Sequence, residues 1–197
     1  MTGVQTCALP ISSGLEWPGA DQALAGFAPV LLATDEAEAA EAMAREGLAA
    51  MERLGDVWVL NEWGWLLPLA LAKQGRADEA AVLADAHANG DRFAPIGAEG
   101  SIYRGVALSG ALAFRQRDAE ALALATEAAT TARATDSHLL RTLALEHLAG
   151  LLHDTDPAAA ITTLEEAAAI HETVGNVIGI ERAARALEGW HAARSDR

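Results

Sequence analysis

GRADEA, residues 75–80, decides how the chain folds: a glycine able to end one helix, acidic residues to open the next, and an alanine where two helices pass closely. Working outward, Ala80 has counterparts at Ala40, Ala121 and Ala160, at intervals of 40, 41 and 39 residues. Nine positions before each anchor stands a leucine: Leu31, Leu71, Leu112 and Leu151. Fifteen positions after each stands a helix-ending or turn residue: Gly55, Pro95, Asp136 and Gly175. The polar turns at the anchors read TDEAEA (34–39), GRADEA (75–80), QRDAEA (116–121) and DTDPAA (154–159). Ala-richness alone does not supply agreement in three columns, and a fixed period of this size belongs to stacked helix pairs.

Each unit has a physical logic. A first helix carries apolar residues at helical spacing, as Leu139, Leu143, Leu148 and Leu152 do. A turn of about four residues reverses the chain. Pro157 suits a first helical position, where its missing N–H is no loss. Asp78 and Glu79 favour the positive end of the second helix, and the anchor alanine lets the two axes approach. The spacing predicts helices over 21–33, 36–54, 57–74, 77–89, 99–115, 118–134, 138–153, 157–174 and 177–194, the last a terminal cap through Ile180, Ala184, Leu187 and Trp190. NGDRFAPIGAEG (89–100) is the one substantial predicted loop. The fold class is all-α.

Composition agrees. Hydrophobic residues make up 51% but aromatics only 5%, because alanine, the best helix former, carries the count. Runs rich in Val, Ile or Tyr, as strands need, are few. The formal charge of −14, with 14 basic against 28 acidic residues, argues against a nucleic-acid partner, whose binding rests on Lys and Arg. Lys73 is the only lysine, so no polybasic patch addresses an anionic membrane. The longest apolar run, near 63–72, is too short to span a bilayer. A cytoplasmic location is expected.

The opening MTGVQTCALPIS does not share this character. It has no charged side chain, and the chain's only cysteine, Cys7, lies in it. The first basic residue is Arg45, so the stretch does not read as a secretory signal. Residues 1–11 instead resemble the in-frame translation of a short-read sequencing adapter. The expectation is that residues 1–12 are not native, that 13–35 are the truncated start of a solenoid continuing upstream, and that 36–197 are helical repeats with a capping helix.

Gly75-Arg76-Ala77-Asp78-Glu79-Ala80 resembles the turn into the second helix of the tetratricopeptide repeat (TPR) family. Residues 116–121 are a degenerate copy, and 155–160 depart further, lacking the turn glycine and the glutamate. The period exceeds the 34 residues usual in that family. Residues 36–190 also resemble the C-terminal helical region of large bacterial signalling proteins, in which a nucleotide-cyclase or transcription-regulator domain precedes an ATPase module. The resemblance implies an α-α superhelix whose first helices line an inner groove, and a partner that is a protein or peptide segment or the parent's own N-terminal domains. Carrying groove positions across from the anchors gives Glu62, Trp65, Lys73, Tyr103, Phe114, Thr142 and His153 as the candidate partner-binding set.

No catalytic signature accompanies this architecture. No G-x-x-x-x-G-K-[ST] loop is present. His147 and His153 are six apart, which puts them on different helix faces and does not suit a shared metal. His171-Glu172 lacks the second histidine of a zinc-protease motif. No cofactor, metal or catalytic residue is therefore assigned, and the chain is read as non-enzymatic. Trp58 and Trp65 share a helix face, which suits repeat packing or, in the functional reading, a groove anchor. Arg104, Arg141 and Arg182 are candidates to pair with an acidic partner. A small ligand held near Trp65 and Tyr103, or a free-standing scaffold, are the alternatives to a protein-interaction module.

Overall fold

The computed structural model describes residues 27–54, 57–90 and 97–195. Its described residues form nine helices and no strand: α1 Phe27–Ala33, α2 Ala37–Leu54, α3 Val57–Lys73, α4 Ala77–Ala88, α5 Gly97–Phe114, α6 Asp118–Arg133, α7 His138–Leu152, α8 Pro157–Val174 and α9 Val177–Ser195. The adapter-like stretch, the first part of the helix expected at 21–33, and the turn residues Gly55 and Pro95 lie outside the described residues. No described helix is long and apolar enough to cross a membrane.

The columns of the sequence alignment recur as backbone geometry. Each anchor alanine donates the first helical hydrogen bond of its helix: Ala40 to the Glu36 carbonyl at 2.9 Å, Ala80 to Arg76 at 3.0 Å, Ala121 to Arg117 at 3.0 Å and Ala160 to Asp156 at 2.9 Å. All four anchors are buried. The leucine column has a different cause. The carbonyls of Leu31, Leu71 and Leu112 accept from the amides of Glu36, Arg76 and Arg117 at 2.8, 3.0 and 3.0 Å, the six-to-one bond of a Schellman helix end. That motif needs one residue in the left-handed region, supplied by Asp35 (φ 61°), Gly75 (φ 78°) and Gln116 (φ 59°). Only the middle copy uses the residue best suited to it. The fourth copy turns otherwise: Asp156 accepts from the Ala159 amide at 3.1 Å, with Pro157 in the first turn.

Arg and Glu of the turn motif also have a shared role. Arg76 forms a two-pronged pair with Glu79 at 2.8 and 2.7 Å, and Arg117 repeats it with Glu120 at 2.8 and 2.6 Å. These pairs are solvent-exposed and add little stability. Packing does the main work. Successive helices pack on one another, and α1, α3, α5 and α7 also contact each other in series. A close approach falls at Gly105, where an added Cβ would lie 2.8 Å from the Ala128 Cβ of α6. α1 packs on α2 and α3 and also touches α7, so the first and fourth members of the inner row meet.

Ala28 and Leu32 of α1 are buried, whereas Val30 is 44% exposed. One expected boundary moves. α5 begins at Gly97, so the predicted loop gives its last residues to a helix. On α7, Leu140, Ala144, Leu145 and Leu148 are buried, whereas Leu139 and Leu143 are only half-buried and line the inner face.

Candidate functional site

The inner row, with the start of α4, borders a cavity of about 340 Å³ that is open on one side. Leu32 of α1, Pro68, Leu69 and Lys73 of α3, Val106, Ala107 and Gly110 of α5, and Leu143, Glu146 and His147 of α7 form most of its wall. The size falls near the lower end for ligand pockets, and the mostly apolar wall with few polar groups is their usual chemistry. Small residues make the space. Ala107 and Gly110 lie one turn apart on α5, and a Cβ at Gly110 would meet only the His147 ring, at 3.6 Å. A second gap of about 20 Å³ adjoins, sharing Leu32, Lys73, Leu143 and Glu146 and adding Thr142 and Arg182.

The polar groups of the wall are held from behind. His147 Nε2 lies 2.7 Å from the Oγ of Ser109, which also donates to the Val106 carbonyl at 3.0 Å. Burial pushes the His147 imidazole down to about 4, so it is neutral at physiological pH. Ser109 is fully buried within α5, so the pair joins α5 to α7 and offers no nucleophile to a substrate.

Glu146 is the centre of a longer network. Its carboxylate accepts two bonds from Arg182, at 2.9 and 2.8 Å, and one from His171 Nε2 at 2.9 Å. Burial alone would raise the Glu146 carboxyl; the bonds from His171 and Arg182 overturn that and hold it below the usual carboxylate value. Behind His171, Asn176 donates to Nδ1 at 3.1 Å and caps α9 by accepting from the Gly179 amide at 3.1 Å. Gly179 lies flat on the imidazole, where a Cβ would come within 2.5 Å of the ring. On the other side, Arg182 reaches Asp35 at 2.9 Å and the Ala33 carbonyl at 3.2 Å, and Lys73 reaches Asp35 at 3.3 Å.

Of the residues expected to form the groove, Lys73 and Thr142 line the same gap. Trp65 and Tyr103 do not face a groove: both are buried in the core, with Trp65 edge-on to His87 at 5.6 Å. Phe114 is 52% exposed at the end of α5, and His153 stacks on Trp190 at 4.5 Å beside a separate small cluster shared by α7, α8 and α9. The Glu62 side chain lies outside the described residues. Arg182, expected to be available to a partner, is tied internally to Glu146 and Asp35. Sequence reasoning did not single out Leu69, Val106, Gly110, Glu146 or Ser109. The period that located the anchors contains part of the signal, since Leu69 and Gly110 each lie two residues before the leucine column. Among the described residues, no three side chains of metal-ligating type are grouped as a metal would need. No protein-family model matches the chain, and no characterised protein matches it significantly.

Proposed function

We propose that the chain is a TPR-like, non-enzymatic interaction module of a larger cytoplasmic regulator, and that its inner cavity receives an apolar segment of a protein partner or of the parent's other domains. The observation that carries the reading is the cavity, a mostly apolar hollow of about 340 Å³ walled chiefly by the first helices of the repeated pairs, with Ala77 and Ala80 of α4. The recurring anchors and helix ends support the repeat character on which the reading depends. The mechanism is complementarity on a rigid scaffold. Each large apolar side chain seated against Leu69, Val106 and Leu143 contributes roughly 1.5–3 kcal/mol, enough for one or two anchors to dominate affinity. A compact small ligand is the second reading, favoured by the size of the cavity and by the neutral imidazole of His147 in its wall.

Selection of a displayed random-peptide library on the immobilised chain tests the proposal, with Gly110→Leu as the competitor that fills the cavity. Enriched peptides should carry large apolar residues and bind Gly110→Leu at least tenfold more weakly. Peptides indifferent to Gly110→Leu would overturn it. A small-molecule screen giving the only Gly110→Leu-sensitive hits would move the assignment to the second reading.

A further inference from the structure

Arg182 and Asp35 are 147 positions apart, yet they bond directly. One face of the Arg182 guanidinium serves the α1–α2 turn, through the Asp35 carboxylate and the Ala33 carbonyl. The other holds both oxygens of Glu146 on α7. A single side chain therefore joins the first turn, the fourth inner helix and the last helix. α9 itself packs mainly on α8, so its link to the first turn is the reach of this arginine.

Glu146 brings this chain of bonds to the cavity, while Arg182 and Ala33 line the adjoining gap. Glu146 and Lys73 lie in the cavity wall and in that of the gap, and Leu32, one turn before Asp35, lines the side on which α1 meets α7. We propose that the chain Asp35–Arg182–Glu146 is a latch that holds α1 over one side of the inner cavity, and that its release widens the access of an occupant while the helix pairs stay folded. The two arms are unequal. Glu146 and Arg182 are largely sheltered, and one Arg182 nitrogen, Nη2, meets both Glu146 oxygens in charge-assisted bonds. Asp35 is half-exposed, and its backbone is held in the left-handed region, which an ordinary residue adopts at a cost. The Asp35 arm is the one that exchanges. With it in place two cations meet two carboxylates; without it one positive charge is left uncompensated, and α1 keeps only the Ala33 carbonyl bond to Arg182.

This inference rests on the cavity being the binding site, but its test needs no partner. In a Cys7→Ser background, Ala107→Cys places a thiol in the cavity wall and Ala167→Cys places one in the core of α8 as a control. The reaction rate of each with a chromogenic disulfide is measured with the latch intact, with Asp35→Asn, and with Arg182→Gln. The expected result is a rise of about tenfold or more at position 107 in Arg182→Gln, a smaller rise in Asp35→Asn, and no change at 167. An unchanged rate at 107 in both variants overturns the latch. So does an equal rise at 107 and 167, which would mean that the bonds merely hold the fold together. Failure of peptide selection alone would leave these rates as they are and would count against the binding reading only.

Discussion

Gln116 is the residue where local chemistry and local geometry disagree most plainly. It occupies the left-handed position that Gly75 fills one repeat earlier, with φ 59° against 78°. Gln116→Gly should therefore stabilise the chain by about 1 kcal/mol, read as a higher urea midpoint at unchanged slope. Gly179 presents the converse. Its missing Cβ is the space taken by the His171 ring, so Gly179→Ala should destabilise by roughly 1–3 kcal/mol through overpacking. His147 sets a pH dependence. Its folded value lies near 4 against 6.5 in the unfolded chain, so the unfolded state takes up the proton first and stability is lost as pH falls from 6.5 towards 4. His147→Gln should remove a slope of up to about 1.4 kcal/mol per pH unit in that window. Glu146 and Asp35 act lower: both carboxyls are held down in the fold, so their stabilisation is present above the ordinary carboxylate value and disappears below it. Urea titrations at a series of pH values separate the two windows, and a profile in which His147→Gln parallels the wild type would refute the assignment.

At the scale of the element, helices were legible because their ends are written in local residues. Pro157 and Asp156 open α8, Gly175 closes it at φ 72°, and Ser137 opens α7 by accepting from the Leu140 amide at 3.3 Å. The anchors were legible because close packing tolerates only small side chains. Ala121→Leu or Ala160→Leu should cost about 1–3 kcal/mol each, while the same change at the exposed neighbour Ala119 should cost little. The inner face was harder to read. Trp65 and Lys73 lie on one stripe of α3, but Lys73 borders the cavity with Pro68, Leu69 and Ala72, while Trp65 turns into the core against His87. Which stretch of a stripe faces a hollow depends on where its neighbours cross it. One sequence without a three-dimensional frame does not contain that crossing.

Across the whole molecule, the repeat order was legible and its closure was not. Nothing in the sequence spacing of Asp35, Glu146 and Arg182 relates them; they meet because the inner row curves until α1 touches α7. Glu146→Ala would leave Arg182 without its sheltered counter-charge and should destabilise by on the order of 3 kcal/mol, more than Asp35→Asn, whose carboxylate is half-exposed. The apolar surface left at the far corner, Val174, Val177 and Ile178, is the rival place for a partner to dock, since all three are more than 40% exposed. Methyl-resolved NMR of the chain titrated with the strongest selected peptide decides between the two. The account predicts saturable shifts at Leu32, Leu69, Val106 and Leu143, the cavity wall, with the corner unmoved. Shifts confined to Val174, Val177 and Ile178 would contradict it and place recognition on the outside of the fold.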